Sequence, residues 1–142
     1  MLHRIAVLLL LVCAVQSLGQ DVGKGTITLG MINGRAWQSL SESAKLGYLV
    51  GAFEGLTAAA VRADLGTRDN RVYKLRSAWW PQNLRKEEVM EALNRFYAEP
   101  ENLPVVVIDA ITVVVARARG DEAESVEKLV ATLRRMAAAD RK

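Results

Sequence analysis

Two carboxylates, Glu54 and Asp109, are the groups whose type and setting best suit chemistry. On a helical wheel Glu54 falls between an apolar stripe and a row of glycines, and Asp109 stands on an otherwise apolar segment. Burial in such a setting raises the pKa of a carboxyl group, and paired carboxylates hydrolyse glycosidic bonds in many enzymes. The alternative is that Glu54 pairs with an arginine such as Arg95 and that Asp109 faces water.

The sequence contains few residues of the types that other kinds of catalysis require. The single histidine, His3, and the single cysteine, Cys13, both lie in a segment with the features of a secretory signal. That segment has a basic start, an apolar run and small residues before a cleavage site after Gly19. We therefore expect residues 1–19 to be removed as a signal peptide, leaving no imidazole or thiol. This composition argues against an enzyme, and we expect neither a cofactor nor a bound metal ion.

The location that follows is the periplasm or the exterior of the cell. A retained N-terminal anchor is the alternative, although the apolar run is shorter than the roughly 20 residues that span a bilayer. After cleavage we expect a flexible leader over 20–30, a single helical domain over 31–142 and no stable membrane span. The formal net charge of +3 is too small to indicate nucleic-acid binding.

The segment 42–63 has the periodicity of a helix with two distinct faces. One face is apolar, and the other carries Gly47, Gly51 and Gly55 at a spacing of four. A glycine inside a helix costs about 1 kcal/mol relative to alanine, and close packing of a second helix would compensate. We therefore expect this helix to be the central one. Two alternatives stay open: the glycines break the helix, or an apolar ligand fills a cavity beside them.

The remaining elements complete an all-α fold. A short helical turn over 34–40 presents Trp37 as an apolar anchor, and further helices are predicted over 86–97, 105–119 and 121–142. The β-branched residues of 105–119 also suit a strand, but its length and the lack of partner strands favour a helix. We expect a compact bundle of four main helices plus the short N-terminal helical turn.

The segment 66–81 is irregular and combines basic with aromatic side chains. Arg71, Tyr73 and Arg76 precede the pair Trp79 and Trp80. Cations beside exposed aromatic rings bind anionic ligands, sugars or carboxylate-rich protein partners. The alternative is that both tryptophans cover one end of the core.

A turn motif joins the helices at 86–97 and 105–119. Phe96 and Tyr97 supply aromatic anchors, Pro100 stops the first helix, Asn102 can cap the second, and Pro104 suits its first turn. We expect this motif to be structural.

Two spaced motifs resemble those of a known group of proteins. They read Trp37…Lys45-x-x-Tyr48-x-x-Gly51…Gly55 and Phe96-Tyr97-x-x-Pro100-x-Asn102-x-x-Pro104…Asp109-Ala110. Together they resemble small exported bacterial proteins of unknown function, and are distantly similar to periplasmic immunity proteins that neutralise secreted amidase toxins. The resemblance implies a helical protein of the bacterial periplasm.

These observations favour an exported, non-enzymatic protein-binding module whose partner is another exported protein, with its oligomeric state open. The alternatives are a carboxylate-based enzyme acting on cell-wall glycans, centred on Glu54 and Asp109, and a bundle that binds an apolar ligand.

Overall fold

The protein is described from a computed structural model that covers residues 25–64, 80–81 and 83–140. In this part a two-stranded hairpin precedes five α-helices, and the predicted bundle of four main helices with a short N-terminal helix is confirmed. The elements are β1 (Ile27–Thr28), β2 (Met31–Ile32), α1 (Gly34–Ser39), α2 (Glu42–Asp64), α3 (Lys86–Phe96), a 3-10 turn (Pro100–Asn102), α4 (Val107–Arg119) and α5 (Ala123–Ala139). No helix of the described ranges is long and apolar enough to cross a membrane.

The hairpin was not predicted, because 20–30 was interpreted as a flexible leader. Ile27 pairs with Ile32 and Thr28 with Met31 in an antiparallel register. Leu29 and Gly30 form the two-residue connection, with φ angles of 51° and 74°, the left-handed values that tight hairpin turns require. Leucine is not a residue type that indicates a tight turn, so the sequence pattern does not predict this hairpin. Residues 20–24 lie outside the described part.

Asn33 joins the hairpin to the first helix. Its side-chain oxygen accepts hydrogen bonds from the backbone N–H groups of Arg35 at 3.0 Å and Ala36 at 3.5 Å, which caps α1. Its side-chain nitrogen donates to Gly25 O at 2.8 Å and to Thr28 Oγ1 at 3.0 Å. The buried side chain of Asn33 therefore forms hydrogen bonds both to the hairpin segment and to the start of α1.

The central helix is α4, and the prediction that the helix at 42–63 would be central is wrong. Helix α4 packs against both α3 and α5, whereas α2 packs chiefly against α3. In α2 the buried side chains among those described are Leu49 and Ala60. Helix α4 supplies more buried residues than any other described element, namely Val107, Ala110, Ile111, Val113, Val114, Val115 and Ala116.

Tyr97 connects three parts of the chain at the end of α3. Its side chain is fully buried, its hydroxyl donates to Val105 O at 3.1 Å, and its backbone carbonyl accepts from Gln38 Nε2 at 2.8 Å. Gly34 lies against the face of its ring: an added Cβ would be 2.9 Å from Tyr97 Cγ and closer still to Cδ1. A glycine is therefore needed at 34 to let α1 approach the ring.

We expect Gly34→Ala to lower the free energy of unfolding by about 1–3 kcal/mol, because overpacking a filled site costs that much. Gly51→Ala is the matched control, since an added Cβ there meets nothing within 4 Å among the described atoms. It should instead stabilise α2 by about 0.5–1 kcal/mol. Urea unfolding of both variants measures the difference. Equal effects of the two substitutions would contradict the packing described for Gly34.

Candidate functional site

The two candidate catalytic carboxylates differ in how far they are buried. Glu54 lies on the exposed surface of α2, so its predicted desolvation is wrong. Asp109 lies in the first turn of α4 and is half-buried, and burial raises the pKa of its carboxyl group. Within the described ranges Arg95, the suggested partner of Glu54, has its nearest carboxylate oxygen on Glu91 of its own helix, at 3.9 Å. Of the two carboxylates, only Asp109 therefore lies in the partly buried setting that was expected to raise the pKa of a carboxyl group.

The glycine row does not pack against another helix among the described residues. Gly47, Gly51 and Gly55 are exposed, and a Cβ added to any of them would meet no described atom within 4 Å. The predicted helix-packing role is therefore wrong for this part of the chain. The helix is nevertheless continuous from Glu42 to Asp64, so the glycines do not break it. Because they face solvent, they line no apolar ligand cavity of the described part.

Trp80 is a core residue and not an exposed binding residue. Only 2% of its surface is exposed, its indole N–H donates to Leu84 O at 3.0 Å, and its ring meets that of Phe53 edge-on at 5.6 Å. The alternative interpretation, that this tryptophan covers one end of the core, is the one observed. The other residues of the basic-aromatic segment, Arg71, Tyr73, Arg76 and Trp79, lie outside the described residues.

The turn motif has a structural role, but Asn102 does not cap α4 as predicted. Pro100 to Asn102 form the 3-10 turn, Pro104 lies before α4, and α4 begins only at Val107. Asn102 is buried; its side-chain nitrogen donates to Phe96 O at 2.7 Å, and its oxygen accepts from Arg134 Nε at 2.8 Å. The amide thus ties the end of α3 to α5. Arg134 lies far from Asn102 in the sequence, so the local sequence pattern does not indicate this contact.

Lys45 and Tyr48 of the first spaced motif meet around Trp37, together with Asn94 of α3. The indole N–H donates to Asn94 Oδ1 at 2.9 Å, and Lys45 Nζ donates to the same oxygen at 3.1 Å. The rings of Trp37 and Tyr48 meet edge-on at 6.2 Å. Burial, together with the charge of Asp109, raises the pKa of Tyr48. The motifs therefore form one polar and aromatic contact region between α1, α2, α3 and the start of α4.

A groove with a volume of about 380 Å³ lies between the last turns of α3 and α4. Apolar side chains form its floor and charged side chains its rim. We call it the α3–α4 groove; it is lined by Ala92, Arg95, Phe96, Glu99, Val114, Arg117 and Ala118.

The charged groups of the α3–α4 groove are held in different ways. The guanidinium of Arg117 lies over the Phe96 ring at 5.9 Å and donates from Nη2 to Glu127 Oε1 at 2.7 Å. Glu99, the acidic residue of the rim, accepts from Arg134 Nη2 at 2.9 Å. Arg95 is 73% exposed. The groove therefore combines a fixed cation, an exposed cation and an occupied carboxylate.

Sequence reasoning did not single out this groove. A signal for it exists in the repeated pairing of an apolar residue with an arginine one turn away, Ala92 with Arg95 on α3 and Val114 with Arg117 on α4. The two pairs belong to different helices, and nothing in the periodicity of either helix indicates that they face each other.

Metal chemistry finds no support in the described ranges, where no group of three or more histidine, cysteine, aspartate or glutamate side chains is close enough to hold an ion. Comparison with protein-family models, with curated proteins and with solved structures gives no match for this chain. The family resemblance inferred from the two motifs therefore stays an expectation.

We expect Trp80→Ala to destabilise the fold by about 3–5 kcal/mol, the usual cost of removing a buried aromatic side chain. Trp80→Phe keeps a ring against Phe53 and should cost less. Urea unfolding provides the comparison. If Trp80→Ala unfolded at the wild-type urea concentration, Trp80 would not be the core residue that its burial indicates.

The stability contribution of Asp109 should depend on pH in a defined direction. Because burial raises its pKa above the ordinary value of 3.8, the native chain keeps a proton that the unfolded chain has lost. The contribution is thus full below pH 3.8 and is lost as the pH rises through the native pKa. We expect Asp109→Asn, which cannot ionise, to gain stability relative to wild type as the pH rises above 3.8 and through the raised native pKa.

Asp121→Asn is a control of opposite sign for this experiment. A hydrogen bond and the charge of Arg119 lower the pKa of Asp121, so its contribution is present above the ordinary pKa and disappears as the pH falls. This variant should lose stability relative to wild type as the pH rises. Urea unfolding at each pH tests both, and parallel curves for wild type and Asp109→Asn would contradict the setting of Asp109.

Proposed function

We propose that this protein is an exported, non-enzymatic binding module that takes a segment of another exported protein into the α3–α4 groove. The α3–α4 groove is the observation that carries the proposal. Binding sites are typically concave and combine apolar surface with a few polar groups that orient the ligand. The α3–α4 groove is concave and combines apolar and charged lining residues, with Arg117 held over Phe96.

The rigidity of the groove supports the same function. Phe96 is 2% exposed and Val114 is 4% exposed, so the floor belongs to the core and does not have to form on binding. The Phe96 ring also holds the Arg117 guanidinium at the rim. A site that is ordered before binding loses less conformational entropy when the partner arrives.

The absence of an imidazole and a thiol from the expected mature chain supports binding over catalysis. The predicted signal peptide supports an exported location for both the protein and its partner. The carboxylate-enzyme alternative has less support, because Glu54 is exposed and only Asp109 is partly buried.

Filling the α3–α4 groove tests this function. Ala118 is an exposed residue of the groove lining, so Ala118→Trp should block entry of a partner segment without disturbing the core. Ala59→Trp is the matched control, on the exposed surface of α2 and outside the groove. We expect Ala118→Trp to reduce partner capture at least about tenfold, a change of 1.4 kcal/mol in binding free energy.

Capture is measured by crosslinking each tagged protein in intact cells and quantifying the crosslinked proteins by mass spectrometry. A protein recovered with the wild type and with Ala59→Trp, but depleted with Ala118→Trp, is the expected result. Circular dichroism checks that all three proteins are folded. Equal recovery with all three folded proteins would rule the groove out as the binding site.

A further inference from the structure

We infer that the α3–α4 groove selects a partner segment in which a carboxylate side chain stands next to an aliphatic or aromatic one. This inference rests on the proposed binding function and names the chemistry of its partner. It follows from the donors and acceptors around the apolar floor.

The rim of the groove is rich in hydrogen-bond donors. A guanidinium carries five N–H groups in a planar fork and has no acceptor. Arg117 donates from Nη2 to Glu127, and within the described residues its Nε and Nη1 form no hydrogen bond, so a ligand can accept from them. The guanidinium carbon lies 5.9 Å from the centroid of the Phe96 ring, and this contact together with the bond to Glu127 limits where these donors can point.

Arg95 supplies the second set of donors from the facing helix. Among the described residues its closest carboxylate oxygen, on Glu91, is 3.9 Å away, and the two side chains are 73% and 67% exposed. Exposed pairs of this kind contribute little to stability. A ligand can therefore recruit Arg95 at small energetic cost.

The carboxylate among the lining residues is already engaged. Glu99 Oε2 accepts from Arg134 at 2.9 Å and from Asn102 Nδ2 at 3.2 Å. Arg134 also contacts Glu101 at 2.9 Å, so Glu99 is held toward α5 by a network and not by the two groove arginines. The rim thus presents oriented donors whose acceptor has to come from a ligand.

A carboxylate side chain fits this rim best. Carboxylates accept two parallel bonds from one guanidinium, and charge-assisted bonds of this kind are stronger than those between neutral groups. The apolar lining that stays accessible to a ligand is the half-buried Ala92 and the exposed Ala118, which an apolar neighbour would cover. Glu91 and Glu127 keep the surroundings nearly neutral, so we expect recognition by hydrogen-bond geometry more than by long-range attraction.

The probes that test this inference are two labelled peptides. One alternates leucine with glutamate, and the other carries glutamine at every glutamate position. Fluorescence anisotropy with the purified protein should show binding of the glutamate peptide, weaker binding of the glutamine peptide and loss of binding in Ala118→Trp.

Arg95→Glu should weaken binding of the glutamate peptide about five- to tenfold, since one exposed ion pair becomes a repulsion. Arg62→Glu is the control, because it makes the same charge change at an exposed position of α2. Arg95 lies in the last turn of α3 and pairs with Glu91, so Arg95→Glu should lower the thermal unfolding temperature slightly. Arg62 lies in the last turn of α2, and the unfolding temperature is checked for each variant.

The outcomes separate this inference from the proposed function. Equal binding of both peptides that is blocked by Ala118→Trp would keep the groove as a binding site and overturn the carboxylate preference. An absence of glutamate-peptide binding, or equal weakening by Arg95→Glu and Arg62→Glu, also overturns the preference. Peptide binding and cellular capture that both survive Ala118→Trp would overturn the groove itself.

Discussion

The buried ring of Tyr97 is the constraint on which the arrangement of the other elements depends. It occupies the junction where α3 ends, where the ring lies against Gly34 of α1 and its hydroxyl donates to Val105 O in the loop before α4. The backbone carbonyl of the same residue accepts from Gln38 at the end of α1. A smaller ring would leave a cavity among these contacts, and any side chain at 34 would displace it. Placing α1 and the loop before α4 against the same ring fixes where α4 enters the core.

The same junction also creates the surface on which we place function. Phe96 precedes Tyr97, and the two rings meet edge-on at 5.2 Å. While Tyr97 turns inward, Phe96 covers the core and forms the floor of the α3–α4 groove, with Arg117 above it. The side chain of Asn102 donates to the Phe96 carbonyl and accepts from Arg134, which ties the end of α3 to α5. The adjacent residues Phe96 and Tyr97 therefore contribute both to the packing of the helices and to the formation of the groove.

The periodicity of the sequence was sufficient to predict the helices but not their neighbours. The apolar spacing of α4 and the left-handed Gly120 after it mark a helix, and Ser41 accepts the bond from Ala44 N that its position before α2 indicates. Which face of α2 is buried is a tertiary property, so the exposure of its glycine row could not be deduced from spacing. The groove depends on two helices meeting, and Asn102 on a partner 32 positions away; local patterns carry neither relation.

The dual use of Phe96 and Tyr97 limits which substitutions can report on function. Removing either ring would disturb the core and the groove together, so a loss of binding would not distinguish a damaged site from an unfolded protein. Trp80 has the same limitation because it is buried against Phe53. Arg95 and Ala118 line the groove from exposed positions and contribute little to the core. Binding and stability can therefore be separated only at the rim, where the donors that we assign to the partner carboxylate are located.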